Sequence, residues 1–208
     1  MQGDRINDAT RRDIVAKVAR FTGLSPEFVE RANMRVRIDR FDKELMRGSR
    51  RTVGRLDGRF TGIDIDAAGE SPEYDPSMEA IRGEYTAVFN DYVRRDLKFE
   101  TDLPYEVLTG KVRPWSYDDA SNRYVDVGET LRGAMSSNPY LRVYVGNGYY
   151  DLATPFAATV YTFARMGLDR EVRKNVSMGF YAGGHMMYID RTAHAKLKKD
   201  VAEFITAR

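Results

Sequence analysis

The sequence predicts an α/β fold, with a mostly helical stretch over residues 1–138 followed by a strand–helix–strand–helix unit over 139–208. Through most of the first stretch, apolar residues recur at helical spacing. After Asn138-Pro139, two short β-branched runs closed by glycines alternate with helical segments. Composition agrees: 208 residues with 42% hydrophobic and 12% aromatic side chains can build a core, while 31% charged residues and no long apolar run exclude a membrane span.

Taken in order, residues 8–21 place Ile14, Val15, Val18 and Phe21 on one side of a helix and Arg11, Arg12, Lys17 and Arg20 on the other, with Gly23 ending it. Ser25-Pro26-Glu27 supplies an N-cap hydroxyl, a first-turn proline and a carboxylate near the helix dipole, opening a second helix to about Asn33. Ile38, Phe41, Leu45 and Met46 mark a third helical segment before Gly48. The following stretch, 52–77, is rich in glycine, aspartate and proline and reads as extended or looped. Pro76 then begins a long helix with the stripe Ile81, Tyr85, Val88, Tyr92 and Val93, ending near Lys98. Residues 101–124 show no sustained period and read as an irregular connection anchored by aromatics, Trp115 among them. A short helix over 126–137 carries Val127, Leu131 and Met135.

In the second stretch, Leu141, Val143 and Val145 alternate with Arg142 and Tyr144, giving a strand closed by Gly146-Asn147-Gly148. Pro155 opens a helix to about Met166, Asn175 to Tyr181 is a second strand closed by Gly183-Gly184, and Thr192 to Ala207 is a helix expected to bury Leu197, Val201, Phe204 and Ile205. The order implies a parallel βαβ unit with a right-handed crossover.

Zero cysteines remove thiol nucleophiles, disulfides and cysteine-ligated zinc, and only two histidines leave little for a metal site, so no metal is expected. Catalytic groups of open parallel sheets gather beyond the carboxyl ends of the strands. Asp151 follows the first strand and His185 the second, which places a carboxylate and an imidazole on one edge. In a triad, the aspartate would accept the Nδ1 proton and leave Nε2 to relay protons. The plainer alternatives are a turn histidine at 185, an N-cap at Asp151 and core filler at Met186 and Met187. His194, among Lys196, Lys198 and Lys199, reads as a solvated surface residue.

The segments ELMRGSRRTVGRLDGRFTG (44–62), NGYYDLATP (147–155) and AGGHMMY (182–188) resemble the serine carboxypeptidases of the α/β-hydrolase fold, particularly bacterial members, from about Arg11 to the end. The resemblance implies that residues 1–138 are a helical cap (lid) insertion and 139–208 the C-terminal α/β-hydrolase segment. It implies Asp151 and His185 as triad acid and base, and Met186 as part of the pocket for the released residue. It further implies substrates with a free C-terminal carboxylate, mildly acidic working conditions, no metal or organic cofactor, and a secreted or periplasmic parent. The N-terminal MQGDRINDATRRD itself has no apolar h-region or cleavage site.

One family feature is missing: no G-x-S-x-G nucleophile elbow occurs. In the nearest decoy, Gly69-Glu70-Ser71-Pro72-Glu73, Pro72 has no N–H for an oxyanion and Glu73 replaces the closing glycine. The expectation is therefore the C-terminal portion of a serine carboxypeptidase, inactive alone, whose serine lies in an N-terminal half outside this chain. The free edge of the 141–145 strand would then invite strand exchange or a homodimer. The alternative is a non-catalytic helical interaction or nucleic-acid-binding module, suggested by eight arginines between Arg35 and Arg59. Interspersed Asp39, Asp42, Glu44 and Asp57 favour intramolecular ion pairs instead, and no nucleic-acid partner is expected.

Overall fold

A computed structural model describes residues 5–207, except for the side chain of Asp119. The first four residues of the N-terminal segment read above for a leader lie outside the described residues, as does that side chain. The chain is a mixture of helices and small sheets, and it gathers into two compact units, one up to Glu79 and one from Ala80 onward.

The first unit starts with α1 (Asp8–Thr22), capped by Asn7, whose side chain accepts the Thr10 N–H at 2.8 Å. Gly23 closes the helix in the left-handed region, φ 76°, where a Cβ would be strained. Then α2 (Pro26–Arg31) begins at Ser25, which accepts from Phe28 N at 3.1 Å. Val15, Ala19, Leu24 and Val29 form the core, with Val18, Phe28 and Phe41 packed against it. Phe21, expected on the buried side of α1, is 79% exposed, and Ala19 takes the inward position.

After α3 (Ile38–Glu44), the stretch read as extended or looped contains an antiparallel hairpin of β1 (Arg51–Val53) and β2 (Thr61–Ile63), with Thr52 opposite Gly62. The hairpin is tied to α3 by polar groups. Thr52 Oγ1 donates to the Asp42 carbonyl at 2.9 Å. Lys43 Nζ makes an ion contact with Asp64 Oδ2 at 2.8 Å, donates its hydrogen bond to Asp66 O, and leaves both paired side chains almost fully buried.

Four arginines of the basic segment pair with carboxylates. Arg37 forks onto Asp39, Arg40 onto Glu70 and Arg59 onto Asp57, while Arg47 meets Glu44 and the carbonyls of Ala67 and Gly69. Asp42 departs from the expected pattern: it is buried, and its Oδ1 has no hydrogen-bond partner among the described residues.

Helix α4 (Pro76–Arg95) begins at Pro76 as predicted. The segment 99–127 has little regular structure beyond one short 3₁₀ turn and exposes many large apolar side chains, including Leu103, Trp115, Tyr124 and Val127. Helix α5 (Gly128–Ser137) follows and buries Met135.

Two parallel strands form the centre of the second unit, β3 (Val143–Gly148) and β4 (Val176–Tyr181), joined through α6 (Phe156–Arg165) and followed by α7 (Arg191–Thr206). Gly146-Asn147-Gly148, read as the closing turn, belongs to β3 instead and pairs with Gly179, Phe180 and Tyr181. Helix α7 half-buries Leu197, Val201 and Phe204 but leaves Ile205 66% exposed. Tyr181, buried under α7, donates its hydroxyl to Asp200 Oδ2 at 2.9 Å, and Lys196 completes that link. No described helix is long and apolar enough to cross a membrane.

Candidate functional site

The parallel register brings the ends of β3 and β4 level, with Gly148 beside Tyr181. Beyond that pair the two turns remain stitched together: Tyr149 N donates to Tyr181 O and Tyr150 N to Gly183 O, both at 3.0 Å. Glycine is required here, because a Cβ at Gly148 would fall onto the carbonyl oxygen of Gly184 and lie 2.7 Å from that of Gly183. Below the turns, Tyr149, Phe156 and Phe180 form an aromatic cluster with ring centroids 5.5 to 6.0 Å apart, which seats the start of α6 against β4.

This scaffold places Asp151 three residues past β3 and His185 four residues past β4, with Asp151 Oδ2 3.0 Å from His185 Nδ1. The carboxyl is built in. Oδ1 accepts the N–H groups of Ala153 and Thr154, both at 2.8 Å, and Oδ2 accepts the Thr154 hydroxyl at 2.5 Å. Asp151 is 5% exposed. Burial opposes its charge, but the Thr154 hydroxyl and amide and the His185 ring outweigh that cost and hold the carboxyl below the usual aspartate range. An ionised acceptor facing Nδ1 favours the tautomer with its proton there, leaving Nε2 as the basic nitrogen. Nε2 has no hydrogen-bond partner among the described residues, and the His185 side chain is 42% exposed.

Asp151 caps the loop over 152–154 rather than α6, whose cap position holds Pro155. Met186 directly follows the histidine, is half-buried, and accepts the Ile189 N–H through its carbonyl. Met187 packs below the turn, against the position a Cβ on Gly183 would take. Ser71 lies on an exposed loop of the first unit and donates to Asp39 Oδ2 at 3.2 Å, without the strand-to-helix turn of a nucleophile elbow. His194 is exposed on α7. No group of three or more histidine, aspartate or glutamate side chains arranged to hold a metal occurs among the described residues.

Sequence reasoning missed Thr154, which contacts both Asp151 and, at 3.2 Å, His185 Nδ1. The available signal was a hydroxyl residue three positions after an aspartate at the end of a strand, where the short side chain folds back onto the carboxyl. Comparison with protein-family models, with curated proteins and with solved structures finds no match for this chain.

Proposed function

We propose that Asp151 and His185 are the acid and base of a serine-type triad, and that the chain is the C-terminal portion of a serine carboxypeptidase of the α/β-hydrolase fold. One observation carries the reading: a buried, multiply hydrogen-bonded carboxylate holds Nδ1 of a half-exposed histidine whose Nε2 is unpartnered among the described residues, at the level ends of two parallel strands. The substrate class, peptides or proteins with a free C-terminal carboxylate, follows from the resemblance of segments 147–155 and 182–188.

In this reading a serine supplied by the N-terminal half of the enzyme attacks the last peptide carbonyl. His185 Nε2 takes the serine proton and returns it to the leaving amino nitrogen, and Asp151 stabilises the imidazolium formed between the two transfers. Water then attacks the acyl ester, with Nε2 receiving its proton and passing it to the serine oxygen. The scheme requires no metal or organic cofactor. Met186, next to the base, contributes to the pocket for the released residue. The second edge of β3, which pairs with no other described strand, is where the missing half of the sheet joins. Homodimerisation through that edge is the competing use.

A fluorophosphonate probe tests the assignment. The purified 208-residue chain should remain unlabelled. Co-expression with the N-terminal half encoded upstream should give labelling on a serine of that half, and His185→Ala should abolish it. Labelling of this chain alone, or labelling indifferent to His185, would overturn the proposal.

A further inference from the structure

We infer that Thr154 is a positioning residue of the Asp151–His185 pair, its hydroxyl fixing both the carboxylate and the proton-bearing side of the imidazole. The inference rests on the triad reading and adds a member to it. A threonine hydroxyl has one proton to give. The carboxylate oxygen Oδ2 lies 2.5 Å from Oγ1, whereas His185 Nδ1 lies 3.2 Å away, so the proton goes to Asp151. Oγ1 then has only lone pairs to present to the ring.

Nδ1 therefore faces two acceptors, Asp151 Oδ2 at 3.0 Å and Thr154 Oγ1 at 3.2 Å, and no donor among the described residues. A tautomer with its lone pair on Nδ1 would oppose both. Asp151 alone could swing Oδ2 away from the ring. The hydroxyl prevents this by gripping the oxygen that receives Nδ1–H, while the Ala153 and Thr154 amides hold the other. Those amides belong to the backbone and survive any side-chain exchange at 154, so a variant isolates the hydroxyl.

Thr154→Val retains the β-branched shape and deletes the oxygen, whereas Thr154→Ser restores it. The readout is nitrogen-15 and proton NMR of the His185 ring in the full chain, read beside His194, the one other histidine. In the wild type, Nδ1–H should give a slowly exchanging downfield proton and ring nitrogens of a single tautomer. Thr154→Val should move the ring nitrogens toward tautomer averaging and quicken exchange of Nδ1–H about tenfold, the loss expected for a hydrogen bond to a charged group. Thr154→Ser should recover the wild-type signals, and the thermal melt should remain close to wild type in both.

A wild-type ring spectrum in Thr154→Val, beside an altered one in Asp151→Asn, would overturn the role of Thr154 and leave the pair standing. A ring unaffected by Asp151→Asn would sink the underlying pair itself. A valine effect that serine does not recover would assign the change to packing and likewise overturn the proposal.

Discussion

Replacing Asp42 with asparagine should abolish a pH dependence built into the first unit. Asp42 is 4% exposed, Oδ1 has no partner among the described residues, and the charges acting on it are Asp75, from the loop before α4, Arg55, from the turn after β1, and Asp39, on its own helix. Burial first, then repulsion by Asp75 and Asp39, outweigh attraction by Arg55 and push the carboxyl from 3.8 up to about 7. The folded unit therefore retains a proton that the unfolded chain releases. Asp42's contribution to stability is therefore fully present below about pH 4, is lost as pH rises to about 7 and is level above it. The rise corresponds to about 4 kcal/mol against the charged form, an upper limit because local opening that hydrates the carboxylate caps the penalty. Native-state amide exchange at Gly54 and Asp64, whose N–H groups are held by Phe60 O and Arg50 O, reads this unit alone. Corrected for intrinsic rates, wild-type protection should fall up to about a thousandfold between pH 4 and 8, and Asp42→Asn should remain nearly flat. Taking the difference between the two proteins removes Asp64 and Asp151, whose charges burial opposes but hydrogen bonds restore, and which titrate below 3.8. Equal slopes for the two proteins would refute the reasoning.

Two further substitutions test the scaffold. Lys43→Met leaves Asp64 buried without its cation and should cost about 3–5 kcal/mol, toward the lower figure because the Ile65 and Glu73 amides still serve Oδ1; a change below about 1 kcal/mol in urea unfolding would contradict the role given to the pair. Gly148→Ala should force the β3 and β4 turns apart, costing about 1–3 kcal/mol and eliminating the slowly exchanging Nδ1–H of His185, whereas Gly146→Ala, whose Cβ would meet neighbours at 3.5 Å or more, should preserve both features.

The sequence made the second unit legible because its signals are local. Alternation in 141–145, the proline before α6, the glycines at the end of β3 and those after β4 each act within a few residues, and together they place Asp151 and His185 at one sheet edge. The hairpin of β1 and β2 was not legible. Its three-residue strands are too short to show a period, and they are held by partners distant in sequence, such as Thr52 to Asp42 and Asp64 to Lys43. For the same reason Asp42 reads as one more partner for the arginines, although the fold buries it without an ion pair among the described residues. Phe21 and Ile205 fit their helical stripes yet remain exposed, because a stripe says which residues share a side and not how far the covering elements reach.

The two members of the pair are held very differently, and that asymmetry bears on what completes the site. Asp151 accepts two backbone N–H groups and a hydroxyl besides the ring, and its position is fixed by the chain around it. Among the described residues the hydrogen bonds of the His185 ring all run through Nδ1, and the side chain is 42% exposed. A base held along one edge can still tilt about that edge, and efficient proton transfer needs Nε2 within hydrogen-bonding reach of the oxygen it serves. In the proposed triad, whatever carries that oxygen would also cover the open face of the ring, excluding water and stopping the tilt. On the proposed function, a half-sheet docking on the edge of β3 that pairs with no other described strand would bring nucleophile and cover together, so the proposal joins the dyad and that strand edge in one reading.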